Sequence, residues 1–222
     1  MKHNIIFKVT LLTLGFIVAL AVLAFAFLSL AFPGVMAGWC EKTGNYSFAL
    51  KYASLHYKYT GEVDEAARCA EDSILTGKDS YIIEYGTQLI DHGGFDGYCA
   101  QQDEYMQQTY SVTYSYRQYI YGKITTSYYA QGNTQSAIGC AVQALDKEFD
   151  RSSYTYGGTA SYNITTFPAN NALIALSVKV LEAQDGSAAV YIAEVMDNIT
   201  VTDSTENTIL TTCKTALAAV TQ

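Results

Sequence analysis

A phrase with the spacing Gly-x4-Ala-x3-Ala occurs three times in this chain: at Gly44, Ala49 and Ala53; at Gly61, Ala66 and Ala70; and at Gly132, Ala137 and Ala141. Glycine tolerates the left-handed backbone just past the last turn of a helix, so each phrase marks one helix ending and another beginning. Alanines four apart share one helical face and let a neighbouring helix approach closely. Glycines recur at Gly44, Gly61, Gly77 and Gly93-Gly94, in steps of 17, 16 and 16 residues. One helix and a short turn fill such a step. The expected fold class is therefore all-α, built from antiparallel helix pairs stacked into a solenoid.

The rhythm predicts helices over 45–60, 62–76, 79–92 and 95–108, with a short one at 35–43. Tyr110, Tyr114, Tyr121 and Tyr128 fall at four- and seven-residue steps and read as one helical stripe. The stretch Thr109–Tyr116 also alternates and is β-branched, which leaves a strand open; loop into helix is preferred for 109–131. Further helices are expected at 134–149, 169–184, 187–199 and 204–220, with an irregular loop at about 150–168.

The N-terminus carries a different signal. Residues 9–32 hold no charged side chain, and about 20 apolar residues cross a bilayer as a helix. Lys2 and Lys8 precede the segment, and Pro33-Gly34 follows it. The positive-inside rule then predicts a short cytoplasmic N-terminus at 1–8, a transmembrane helix at 9–32 and an extracytoplasmic body at 33–222. The alternative is a cleaved signal peptide, since Val35-Met36-Ala37 offers small residues for cleavage before Gly38 and a secreted body.

Net charge is −8. Residues 1–32 carry +2, and the remainder holds 11 basic and 21 acidic residues, −10 net. An acidic body repels phosphate backbones, which argues against nucleic acid as a partner. It suits a basic peptide, whose binding would weaken with salt. Five cysteines, an odd number, show no zinc spacing and read first as small buried residues, with a disulfide left open. No phosphate loop, HExxH or GxSxG occurs, and His92 beside Asp91 reads as a helix end. The expectation is a protein without catalytic, metal or cofactor-binding residues. Sequons at Asn45, Asn163 and Asn198 matter only in a secreted eukaryotic setting.

Nineteen tyrosines against one Trp are the better functional signal. They read first as core and inter-helix packing. Tyrosine also adds contact area at small entropic cost, so Tyr105, Tyr110, Tyr114, Tyr121, Tyr154 and Tyr156 are the candidate partner-binding residues.

The glycine phrase resembles the tetratricopeptide repeat. Tyr128, four before Gly132, matches that family's aromatic before the turn; Ala137 matches the small residue after it, and Ala144-Leu145 the closing pair. Tyr57, Gly61 and Ala66 repeat the pattern, with Ser73-Ile74 closing it. The family's early Trp and closing Pro have no counterpart here. The resemblance implies a right-handed solenoid whose concave groove holds peptides or protein segments. The expected function is a membrane-anchored scaffold or adaptor for a protein or peptide at the membrane. The alternative is a surface binding module for peptide or glycan ligands that uses the tyrosine-rich face.

Overall fold

In the computed structural model, residues 2–149, 162–164 and 170–221 are described, and they are almost wholly helical. Eleven helices and two short strands lie among them. The fold divides into two compact units, Met1–Asp72 and Ser73–Gln222.

The first unit opens with α1 (Lys2–Ala31). Its stretch Phe7–Ala31 has a mean hydropathy of 2.8 and none of it is buried. At 1.5 Å per residue these 25 residues reach about 37 Å, more than the ~30 Å hydrocarbon core of a bilayer. The helix breaks at Phe32, whose φ of −134° and ψ of 58° leave the helical region, and Pro33 restarts it at a position that needs no backbone N–H. Then come α2 (Pro33–Lys42) and α3 (Tyr46–Thr60), which pack face to face. Met36, Ala37 and Cys40 of α2 are buried, as are Ala49, Leu50 and Ala53 of α3. Both alanines of the first phrase thus lie on the buried face, where small side chains permit close approach. Ser29 Oγ and Tyr52 Oη, 3.1 Å apart, tie the last turn of α1 to α3. The next helix, α4 (Val63–Thr76), begins in this unit, and Ala66, Ala67, Cys69 and Ala70 are buried along it.

The second unit contains α5 (Asp79–Ile90), α6 (Phe95–Tyr110), α7 (Tyr116–Ala130), α8 (Thr134–Phe149), α9 (Ala172–Ala183), α10 (Gly186–Asp197) and α11 (Ser204–Val220). Its packing alternates. Helix α7 lies against both α5 and α9; α8 contacts α7 and α9; α10 contacts α8, α9 and α11. The core is aliphatic, with Ile120, Ile138, Leu145, Leu173, Leu176 and Ile192 at most 1% exposed. Gly86 lets α5 meet α7: a Cβ there would stand 2.6 Å from Ile124 Cγ1, so any side chain would collide.

Gly44, Gly61, Gly77 and Gly132 all adopt positive φ, between 65° and 77°, as the punctuation requires. Gly94 does not, at φ −93°. There the turn is closed by His92, whose Nδ1 accepts the Gly94 N–H at 3.0 Å.

Three expectations are corrected. The tyrosine stripe does not exist as one helix: Tyr110 ends α6, Ser111 takes a left-handed φ of 57°, and Tyr114 lies in the segment before α7. Ser115 starts α7 by accepting the Gln118 N–H through its hydroxyl. The expected irregular loop contains a strand, β1 (Tyr162–Ile164), paired in parallel with β2 (Ile199–Val201). Helix α10 accordingly ends at Asp197, because the β-branched Ile199-Thr200-Val201 leaves it for the strand. The rest of the expected loop, 150–161 and 165–168, lies outside the described residues.

Candidate functional site

Helices α5, α7 and α9 line one face of the second unit, and two clefts open on it. The larger, of about 600 Å³, is walled by Ile74, Ile82, Tyr129 and Ala183, with Asp79 and Glu182 among its polar groups. The smaller, of about 400 Å³, lies between α7 and α9 and is lined by Gln118, Tyr119, Asn170, Asn171, Ile174 and Ala175. Lys123, Thr126 and Lys179 line both, so the two clefts meet along one groove.

The groove's polar groups are held by the fold. Gln118 is buried in α7; its Nε2 donates to the Ala144 carbonyl at 3.3 Å, and its Oε1 accepts the Ala172 N–H at 3.0 Å. One side chain thereby fixes the end of α8 and the start of α9. Asn171 caps α9, its Oδ1 accepting the N–H groups of Leu173 and Ile174. Its Nδ2 is buried and has no hydrogen-bond partner. Asn170 Nδ2 donates to the Ser115 carbonyl at 2.7 Å. Lys123 Nζ stands 5.4 Å from the centre of the Tyr119 ring, over its face. Lys179 pairs with Glu182 at 2.8 Å on the exposed side. Tyr129 donates to Asp185 Oδ2 at 3.2 Å, and burial together with that carboxylate raises its hydroxyl pKa. An aliphatic floor, two ammonium groups with two carboxylates beside them, and an unpaired amide donor suit an extended chain bearing carbonyl and charged groups.

The first unit holds a second polar cluster. Arg68 of α4 donates to Glu41 of α2 at 2.5 Å and stands 3.6 Å from Glu65. His56 Nδ1 of α3 is 3.0 Å from Glu65 Oε1, at ion-pair distance but outside hydrogen-bond alignment. Gly34 makes room for the imidazole, since a Cβ would stand 2.8 Å from its ring. Asp72 is 3% exposed and shares a hydrogen bond with the Glu41 carboxyl, while its Oδ2 has no partner. Burial, then the Glu41 charge, pushes the Asp72 carboxyl up to about 7, against the pull of Arg68. Burial works most strongly against the Arg68 charge, but its bond to Glu41 and the charges of Glu41, Glu65 and Asp72 together outweigh that and raise its pKa. The cluster joins three helices. Among the described residues no group of His, Cys, Asp and Glu is arranged to hold a metal.

The tyrosines chosen from sequence scatter. Tyr105 and Tyr110 are exposed on α6, their rings 6.2 Å apart in an edge-to-face pair. Helix α6 buries only Phe95 and Cys99, and Asp103 Oδ1 ties it to α7 by accepting the Tyr116 N–H at 2.6 Å. Tyr114 is half-buried and lies near Tyr119, at 6.2 Å between ring centres. Tyr121 is 1% exposed and packs in the core, so it offers no surface to a partner. Tyr154 and Tyr156 lie outside the described residues. Sequence reasoning missed Lys123, Lys179, Asn170, Asn171 and Gln118. Lys123, Lys179 and Gln118 are single polar residues within helices and Asn170-Asn171 directly precedes α9, signals too weak to single out in one chain. None of the five cysteines is in a disulfide among the described residues, and Cys40, Cys69, Cys99 and Cys140 are buried.

No family model matches the chain, and no curated protein or solved structure matches it significantly. The functional reading therefore rests on the geometry of the groove and on the apolar helix α1.

Proposed function

We propose that this protein is a membrane-anchored interaction scaffold that holds an extended segment of a partner protein in the groove along α5, α7 and α9. The observation that carries this reading is the meeting of two clefts at Lys123, Thr126 and Lys179, on a face built from three successively packed helices. Side-by-side packing of alternate helices is what a stack of helix pairs requires, and it supports a tetratricopeptide-like, right-handed solenoid. In such a stack one set of helices lines the concave side, which is where an extended peptide lies. Lys123 and Lys179 stand beside Asp79 and Glu182, so the groove suits a segment that carries charges of both signs, and the partner's affinity falls with added salt. The role is binding, with no chemistry and no cofactor.

In this reading Phe7–Ala31 spans the bilayer, the N-terminus is cytoplasmic and the body extracytoplasmic. Retention of the helix is supported by α2. Pro33, Met36 and Ala37 are buried in the first unit, so cleavage before Gly38 would remove half of a packed helix from its core.

The second reading places the partner on the exposed Tyr105–Tyr110 pair of α6, a face for a peptide or a sugar ring. One experiment separates the two. A photocrosslinking amino acid is placed at Ala175 in the groove, or at Tyr105, in the full chain in native membranes. Specific capture from Ala175, abolished by Lys123→Glu with Lys179→Glu, is the expected result. Capture from Tyr105 alone would transfer the function to α6, and capture from neither would overturn the scaffold reading.

A further inference from the structure

Helix α2 has two faces. Met36, Ala37 and Cys40 turn inward, and Gly34 and Glu41 face His56 and Arg68 of the same unit. The opposite side carries Val35 at 71% exposure, Trp39 at 58% and the exposed Lys42, and Phe32 just before it is 53% exposed. These four residues follow at steps of three, four and three, so they form one stripe along the helix. No other helix of the first unit's body leaves an aromatic and two aliphatic or aromatic neighbours so bare, and Trp39 is the chain's single tryptophan.

The stripe begins where the apolar span ends. Trp39 lies eight residues past Ala31, about 12 Å of helix, whereas the polar layer on each side of the hydrocarbon core is about 5–7 Å thick. A helix continuing along the membrane normal would carry Trp39 out of that layer. The break at Phe32 interrupts α1 at this point and lets α2 take its own direction. The Ser29–Tyr52 hydrogen bond keeps the α2–α3 pair at the end of the span. A tryptophan favours this layer because its ring is apolar and its N–H needs a partner, and Lys42 is long enough to reach lipid phosphates.

We propose that α2 is an interfacial helix, with Phe32, Val35 and Trp39 seated in the lipid–water boundary of the bilayer that α1 crosses and Lys42 at its headgroups. The inference rests on the reading of Phe7–Ala31 as a membrane span. The occupant of the stripe is lipid, and its effect is to fix the depth and tilt of the first unit against the membrane.

Because Trp39 is the sole tryptophan, its fluorescence reports on this face alone. The full chain is reconstituted in phosphatidylcholine vesicles that contain lipids brominated at known acyl depths. Flotation and resistance to alkaline extraction test the span separately. The expected result is flotation, a blue-shifted Trp39 emission, strongest quenching by the shallowest bromine, and several-fold protection from aqueous iodide. Val35→Glu should weaken the bromine quenching at least twofold while flotation is unchanged. A chain that floats and resists extraction, yet shows water-like emission fully quenched by iodide, would overturn the interfacial helix and leave the span standing; a protein would then be the better occupant of the stripe. Bromine quenching unaffected by Val35→Glu would also overturn it, since the stripe would not be what seats the ring. A chain that fails to float would sink the span, and the inference with it.

Discussion

The two units are held together by different chemistry. In Met1–Asp72 the helices that follow α1 meet through alanines and are joined by titratable side chains: Glu41, His56, Glu65, Arg68 and Asp72 link α2, α3 and α4. In Ser73–Gln222 the interior is mainly aliphatic, with Phe95 and Tyr121 among it, and the buried amides of Gln118 and Asn171 join α7, α8 and α9, while carboxylates such as Asp103 hold its outer joints. Alanine faces bury little area per residue, so ion pairs supply specificity and part of the cohesion, at the cost of dependence on pH and salt. Buried amides carry no such dependence. The contrast assigns to the first unit a stability that varies more with pH and salt than the joint of α7, α8 and α9 does.

The largest effect expected along this contrast is at the aliphatic core. Leu176 is fully buried in α9, and Leu176→Ala should cost about 2–5 kcal/mol through lost burial and a residual cavity. Chemical denaturation of the full chain in detergent would show it as a lower midpoint, unchanged between pH 5 and 8. A strong pH dependence of that loss would break the contrast. Next is Gln118→Leu, which keeps the volume, strands the Ala172 N–H in the first turn of α9 and removes the tie to α8; about 1–3 kcal/mol is expected. The same substitution should weaken partner capture at Ala175, because α9 loses its register on α7.

The smallest effect sharpens the other side. The folded Asp72 carboxyl titrates near 7, above its unfolded value, so the native state keeps a proton that the unfolded chain releases. Stability from this group is present at low pH and is lost as pH rises from about 4 to about 7, then stays flat. Asp72→Asn retains the shape and supplies an N–H donor to Glu41. It should match the natural protein best at about pH 3.5, below the ordinary carboxyl value, and exceed it by about 1–2 kcal/mol at about pH 7.5. Thermal melts at both pH values check this, and equal gains at the two would remove the titration from the account.

The helices were legible because their punctuation is local. A left-handed turn needs glycine, and Gly44, Gly61, Gly77 and Gly132 stand where the turns are. Where a non-glycine residue takes the same conformation, as Ser111 does, the boundary was invisible, and the tyrosines on either side were joined into a stripe that does not exist. The parallel pairing of Tyr162–Ile164 with Ile199–Val201 joins segments some 37 residues apart, the difference of their first residue numbers, and no local pattern announces it. The groove was hidden for a related reason. Its lysines and amides sit on α7 and α9, and only packing brings Lys123 and Lys179 to one opening. The charged cluster of the first unit combines residues from Glu41 to Asp72 with no motif spacing.

The buried thiols have a consequence for how the molecule opens. Cys40 and Cys69 belong to the first unit, Cys99 and Cys140 to the second, and burial is the leading cause that raises the pKa of Cys40, Cys69 and Cys140. A buried, protonated thiol reacts only when the surrounding helices part. The chain therefore carries its own set of clocks, two in each unit, and the rates at which they are alkylated time the breathing of the charge-stitched half and of the aliphatic half separately, with no label added.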